Sequence, residues 1–311
     1  MKVKNHSRIC LIVSGSIMVL ALLLSLFGLG INMGLDFVGG LSIRYDMGQA
    51  FDQADVAAAL DAQGIAGYSV AHSGDQGQIL QVRIPELATQ DDIQNLQSSL
   101  EATLLAKYPQ LNTATATANY VGPIAGAALV RNAIFSVLLA TVLMLAYIAF
   151  RFDLYSGIAA VAGLVHDVLI MLSFMVLLRS VVQMNSSFIA AMLTIVGYSI
   201  NNTIVIFDRI RENNAKPGYH GLKREEIVNL SVGQSLGRTI NTTLTTLITI
   251  VTLYIMGVDA IREFSLPIIV GIVSGVYSAN MINGYVWAWL EERRRGRKGS
   301  LKQPSLKAKK A

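Results

Sequence analysis

Residues 188–212 read FIAAMLTIVGYSINNTIVIFDRIRE. The stretch opens as an apolar run long enough to cross a bilayer. Its second half then carries Tyr198, Ser199, Asn201, Asn202 and Thr203, and Asp208, Arg209, Arg211 and Glu212 follow. Polar side chains at membrane depth cost free energy unless they meet partners, so they mark a bundle interior or an ion path. A lone Asn there reads as helix–helix glue. Two adjacent carboxamides flanked by Tyr, Ser and Thr point towards a site.

The rest of the chain fits a protein built around such spans. Of 311 residues, 53% are hydrophobic and 14% charged, with mean hydropathy +0.50, which excludes an ordinary soluble globule. Six apolar segments reach the roughly 20 residues a helix needs to cross: 9–29, 133–150, 156–178, 188–207, 239–258 and 264–290. The first follows Lys2, Lys4 and Arg8, but it is long for a signal peptide and no small-x-small cleavage site stands before residues 34–36. It reads as an uncleaved signal anchor. Cys10 is the sole cysteine, so no internal disulfide forms.

The net charge of +5 does not imply nucleic acid, because the basic residues sit in loops and tails between the spans. With the N-terminus inside, segments 1–8, 151–155, 208–238 and 291–311 hold 19 of the 25 Lys and Arg. The outer segments hold Arg44, Arg83, Lys107, Arg131, Arg179 and Arg262. The positive-inside rule then predicts two cytoplasmic termini and one large loop, about residues 30–127, outside.

That outer loop reads as a small α+β domain. Residues 41–45, 68–71, 78–84 and 113–121 have strand character. Asp52 is placed to cap a helix over 53–63 that stops at Gly64, and Thr89 with Asp92 resembles a capping box for a helix from 90 to about 107. The order β-α-β-β-α-β is that of a ferredoxin-like sandwich. It holds no catalytic constellation: His72 stands alone, and Asp91 and Asp92 suit a helix N-terminus. Before it, Gly34, Asp36, Gly39 and Gly40 lie in GLDFVGG, where the glycines permit a sharp bend and close backbone approach.

The third span carries His166 and Asp167 near its middle, where charge demands a partner or water. They read as a pair closing helix contacts or as part of an ion path. Neighbours on a helix point about 100° apart, and no further His or Cys stands close by, so no metal site is expected. Residues 223–235 suggest an amphipathic helix on the membrane surface, with Pro217-Gly218 as its turn. In the fifth span Thr242, Thr245, Thr249 and Thr252 share a face. Their hydroxyls either bond back to their own helix or, with Arg238 and Asn241, line a polar seam facing Asn201 and Asn202. The sixth span holds Gly271 and Gly275, a spacing that lets backbones approach, with Ser274 and Ser278. Residues 291–311 form a basic tail suited to anionic lipid.

Taken together, GLDFVGG at 34–40, YIAFRF at 147–152, HDVL at 166–169, VGYSIN at 196–201, FDRIREN at 207–213 and RTINT at 238–242 resemble the SecF family. These are protein-export membrane subunits of the resistance-nodulation-division superfamily. The resemblance covers nearly the whole chain. It implies a polytopic α-helical membrane protein with six transmembrane helices and one ferredoxin-like extracytoplasmic domain. It implies pairing with SecD, here expected as a separate chain, and work beside the Sec channel (SecY, SecE, SecG) with YajC and YidC, on unfolded exported polypeptide in the bacterial cytoplasmic membrane. It also implies use of the ion-motive force in late steps of export, with no cofactor and no enzymatic activity.

In the family the proton path uses an Asp in the fourth span and an Arg at the start of the fifth. Arg238 matches the Arg. Asn202 stands where the family has Asp, and an amide cannot take up and release a proton. Three accounts stay open: a sodium ion held by neutral oxygens, coupling carried by SecD alone, or a non-coupling form. The other classes are half of a small-molecule exporter and a passive scaffold of the channel. An intramembrane enzyme finds no Ser/His pair, His-Glu-x-x-His or Gly-Asp pair in the spans.

Overall fold

The computed structural model describes residues 3–73, 77–84, 90–180 and 182–300. The chain divides into two compact units. One is residues 33–135, and the other joins residues 1–32 to residues 136–311.

In the first unit the chain leaves a four-residue helix, α2 (Leu35–Val38), through Gly39 and Gly40, at φ 79° and 110°. A side chain at either position would be strained in that left-handed region, so the bend needs both glycines. Then come β1 (Gly40–Asp46), α3 (Gln53–Asp61), β2 (Ser69–Ser73), β3 (Ile79–Ile84), α4 (Gln90–Lys107) and β4 (Asn112–Val121). The sheet order is β2-β3-β1-β4, with every pairing antiparallel. Strand alternation places Leu41, Ile43 and Tyr45 directly opposite Ile84, Val82 and Leu80, all buried. Val56, Ala59 and Leu60 of α3 and Ile93, Leu96, Leu100 and Leu104 of α4 complete that core at helical spacing.

Asp52 caps α3 by accepting from the Ala54 amide at 2.9 Å. The two helices are clamped where the Asp55 carboxylate meets Tyr108 Oη and Lys107 Nζ, each at 2.5 Å. Those bonds, Lys107's first, hold the Asp55 carboxyl below its usual value. Of the expected capping box, Thr89 lies outside the described residues, as do positions 74–76 of the turn before β3 and the end of the basic tail.

The second unit is helical. Its elements are α1 (Val3–Leu26), the continuation of α5 (Pro123–Arg151), α6 (Leu154–Leu177), α7 (Ser186–Ala215), a 3-10 turn (Pro217–Tyr219), α8 (Arg224–Met256), α9 (Asp259–Ser278), a π turn (Ala279–Asn283) and α10 (Gly284–Ser300). Among the described residues, six segments are long and apolar enough to cross a membrane: Ser7–Leu26, Ala125–Ile148, Leu154–Leu177, Ser186–Ala215, Arg224–Met256 and Ala260–Arg294. The sixth runs through α9, the π turn and α10.

Two expectations change. The segment 208–238 is not a loop. Helix α7 continues to Ala215 and α8 starts at Arg224, which leaves a connection of residues 216–223. Nor is the amphipathic helix a separate surface element, because it forms the first turns of α8. Gly233 and Gly237 cost helix stability only modestly, and burial of Ile227, Val228, Ser231, Val232 and Ser235 on one face outweighs them.

Helices α6, α7 and α9 form the centre. At Gly271 a Cβ would lie 2.5 Å from Ile195 Cγ1, and at Gly275 one would lie 3.2 Å from Ser199 Cβ. The glycines four apart are therefore where α9 rests on α7. Large apolar side chains of α1 and α8 point outward, including Ile12, Leu22, Leu244 and Ile248.

Gly271→Ala forces Ile195 to move in a packed core and should destabilise the chain by about 1–3 kcal/mol. Gly233→Ala, with nothing within 4 Å of its Cβ, should be neutral or stabilising by up to about 1 kcal/mol. Unfolding of both variants in detergent checks the pair.

Candidate functional site

The site is built on Asp167, in the middle of α6 and 0% exposed. Its Oδ1 accepts from Ser274 Oγ at 2.7 Å and lies 3.0 Å from His166 Nδ1. Its Oδ2 accepts from Ser199 Oγ at 2.5 Å and Ser278 Oγ at 2.8 Å. A carboxylate offers about four lone-pair positions, and here four partners meet them. Ser274 and Ser278 are one turn apart on α9, so both face α6. Beside Ser199, Gly275 lets α9 approach α7 closely.

From His166 the polar chain continues. His166 Nε2 lies 3.0 Å from Tyr277 Oη, Tyr277 Oη lies 2.6 Å from Ser14 Oγ, and Ser14 Oγ lies 2.8 Å from the Cys10 carbonyl. The chain thus runs from α6 through α9 to α1. Adjacent His166 and Asp167 are bonded to each other, although their helical directions diverge.

One turn along α7 is a second, neutral layer. Thr203 Oγ1 donates to the Ser199 carbonyl at 3.0 Å and receives Asn283 Nδ2 at 2.8 Å. Asn283 is 1% exposed and packs where Gly163 has no side chain: a Cβ there would overlap its amide. Asn283 belongs to the π turn, a distortion found often at functional sites. Asn202 is 3% exposed, and its Nδ2 has no hydrogen-bond partner among the described residues.

The other sequence candidates fall elsewhere. Asn201 is exposed, so the two carboxamides part to different faces of α7. The Thr seam does not form. Thr242 bonds to the carbonyls of Arg238 and Thr239, Thr245 to those of Asn241 and Thr242, Thr249 to that of Thr245, and Thr252 to that of Ile248; all four are exposed. A lone hydroxyl on a helix finds its own i−4 carbonyl more readily than a distant partner. At the membrane-depth end, a hydroxyl contact from α7 to α8 is instead Tyr198 Oη to Thr243 Oγ1 at 3.2 Å.

Arg238 is exposed and lines a cleft with Asp208, Arg209, Glu212 and Gln234. Asp208 pairs with Arg151 at 3.0 Å and Arg211 at 3.4 Å, and Arg209 bonds to Glu212 and Gln234. Among the described residues no group of three or more His, Cys, Asp or Glu is placed to hold a metal. Gly34, Asp36, Gly39 and Gly40 form the bend of the other unit.

Sequence reasoning missed Tyr277, Ser14 and Asn283. Ser274, Tyr277 and Ser278 fall at i, i+3 and i+4, a polar stripe that could have been matched to Asp167. A lone Ser14 in an apolar span carried no such signal.

These features define an integral membrane protein with a compact α+β unit following its first span. The family description "Protein export membrane protein SecD/SecF, C-terminal" matches residues 100–293, and "SecD/SecF GG Motif" matches residues 24–50. The chain is 35% identical over 274 residues to a protein translocase subunit SecF of Rickettsia typhi, covering 87% of each. It is 36% identical over 249 residues to that of Thermodesulfovibrio yellowstonii, covering 80% of each. A crystal structure of SecDF, a translocon-associated membrane protein from Thermus thermophilus, superposes with TM-score 0.79 at 32% identity over 93% of this chain. SecDF in a super-membrane-facing form superposes with TM-score 0.64 at 31% identity over 96%. The chain spans 38% and 40% of those two longer chains. The chain belongs to the SecF family of protein translocase subunits.

Ser274→Ala removes one donor from a buried carboxylate and should destabilise the chain by about 1–3 kcal/mol. Thr249→Ala removes an exposed back-bond and should stay within about 0.5 kcal/mol. Parallel denaturation curves of the two variants measure the difference.

Proposed function

We propose that this chain is the SecF subunit of a bacterial Sec translocase. With SecD it uses the ion-motive force to promote late steps of protein export across the cytoplasmic membrane. The observation that carries the reading is similarity to SecF subunits over 87% of the chain, with the family description covering residues 100–293. The SecDF chains it superposes on are more than twice its matched length, which supports pairing with a SecD portion. SecD then packs against the outward apolar faces, where association rests on close packing rather than on exclusion from water.

The strand order and the βαββαβ succession support a ferredoxin-like extracytoplasmic domain. The distribution of Lys and Arg supports cytoplasmic termini. Exported unfolded chain, the Sec channel and its accessory subunits are the partners in this reading, and no chemistry on a substrate is required of the protein.

The test pairs this chain with its SecD in cells lacking SecF and follows completion of export while the proton gradient is collapsed selectively. Gradient-dependent export by the native chain is the expected result. Asn202→Asp alone being active would instead mark the native chain as a non-coupling form. Arg238→Ala should impair export more than Arg179→Ala, since Arg238 lines the cleft beside Asp208 and Arg209 whereas Arg179 donates to the Gly28 carbonyl, at 3.4 Å. Equal effects would count against a role for Arg238 in coupling.

A further inference from the structure

We infer that Asp167 and His166 form a proton-binding centre of this chain, loaded through a hydrogen-bonded wire that ends at Ser14. The inference rests on the export reading above for its use, but it stands on geometry. It also answers what Asn202 leaves open, since an amide cannot carry the proton.

The argument is a count of hydrogens. Each of the contacts Asp167–His166, His166–Tyr277 and Tyr277–Ser14 needs one hydrogen, and the Tyr277 and Ser14 hydroxyls supply one each. In one polarity Ser14 donates to Tyr277, Tyr277 donates to His166 Nε2, and neutral His166 donates from Nδ1 to ionised Asp167. In the other, Ser14 donates to the Cys10 carbonyl at 2.8 Å. Tyr277 then donates to Ser14, and His166 donates from Nε2 to Tyr277. Nδ1 and Oδ1 still share a hydrogen, so the pair now holds one more proton.

The two states differ by that proton and by the direction of every hydroxyl in the wire. A proton arriving at Ser14 Oγ displaces Ser14's own hydrogen to Tyr277. Tyr277's hydrogen passes to Nε2, and the balance is one proton in and one unit of positive charge gained by the pair. No heavy atom need move, and the three contacts from Asp167 to Ser14 are made in both states, while the Ser14 bond to the Cys10 carbonyl is made only in the second.

The cage tolerates either state. If the shared proton settles on Oδ1, the second lone pair of that oxygen still accepts from Ser274. Oδ2 still accepts from Ser199 and Ser278. The groups bonded to the pair are hydroxyls, Ser199 on α7 and Ser274, Tyr277 and Ser278 on α9, with Ser14 on α1 reached through Tyr277. The other titratable group near the wire is the Cys10 thiol, close to Tyr277. Among the described residues no Lys or Arg pairs with Asp167. The centre therefore changes charge without a fixed cation to pin it in one state. Cys10 and Tyr277 also line an apolar cleft of about 390 Å³ between α1, α6 and α9.

The test is infrared difference spectroscopy on the full chain with its SecD in lipid, stepped between alkaline and acid buffer. Only this chain carries ¹³C-aspartate. A protonated-carboxyl band that gains intensity on acidification, shifts with the label and disappears in Asp167→Asn is expected. Should Asp167→Asn not fold, Asp167→Glu keeps the acid, and its band should no longer respond to the aspartate label. Tyr277→Phe cuts the wire and leaves the carboxyl, so it should move the pH at which the band appears.

The inference is overturned if no band depends on residue 167. It is overturned equally if Tyr277→Phe titrates like the native chain, or if exchanging potassium for sodium removes the band and so assigns the cage to a metal cation. A native chain that supports SecD-dependent export with no titrating Asp167 sinks this inference and leaves the export reading standing. A titrating Asp167 in a chain that never supports export does the reverse.

Discussion

A carboxylate with no exposed surface, set in the middle of a helix that is long and apolar enough to cross a membrane, constrains everything packed around it. Water is not there to hydrate Asp167, so protein groups must supply its hydrogen bonds. A cationic partner would satisfy the charge and also fix it. The chain instead surrounds the acid with three serine hydroxyls and an imidazole, groups that can turn. The Ser199 contact, at 2.5 Å, and the contacts from Ser274 and Ser278 come from two other helices. The hydrogen bonds that keep the carboxylate in the core therefore also hold α6, α7 and α9 together.

Serine is short, and this sets a second constraint. A hydroxyl one bond beyond Cβ reaches a carboxylate on a neighbouring helix only if the backbones lie close. Gly271 and Gly275 provide that approach between α9 and α7, and Gly163 provides it between α6 and the π turn. Small-residue contacts of this kind are a general means of joining helices in lipid, where apolar burial gives little preference for protein over acyl chain. Here they also position the site. The π turn at Ala279–Asn283 follows Ser278 directly and aims Asn283 at Thr203. The distortion and the polar contacts thus fall on the same stretch of helix.

Much of this was legible in the sequence, and unevenly so. The six spans were read from length and hydropathy because a bilayer imposes both. The strands and helices of the α+β unit were read from alternation and turn residues, with edges shifted by a residue or two. What was not legible was which of two neighbours would face the core. Asn201 and Asn202 looked like a pair, and helical geometry sends only Asn202 inward. The Thr face of α8 looked like a seam because hydroxyls at 3-4-3 spacing line up whether or not anything lies opposite. Residues 223–235 looked like a separate surface helix because they are polar, yet nothing between Arg224 and Met256 breaks the helix. The wire to Ser14 depends on α1 meeting α9, a tertiary contact that leaves no mark on local pattern.

The arrangement also gives Asn202 a physical setting. Along α7, Ser199 faces the acid, and the next turn carries Asn202 and Thr203, both buried. An acid at 202 would be a second buried carboxyl, one turn along the same helix from the cage. Like charges at that separation in a medium of low dielectric oppose joint ionisation. The amide removes that opposition, since position 202 carries no second carboxyl beside the cage. The buried Nδ2 of Asn202 lacks a partner among the described residues, a cost of order 1–3 kcal/mol. A purely structural position would favour an apolar side chain of similar size over that cost. The amide lies buried three residues along α7 from Ser199, the hydroxyl that donates to Asp167.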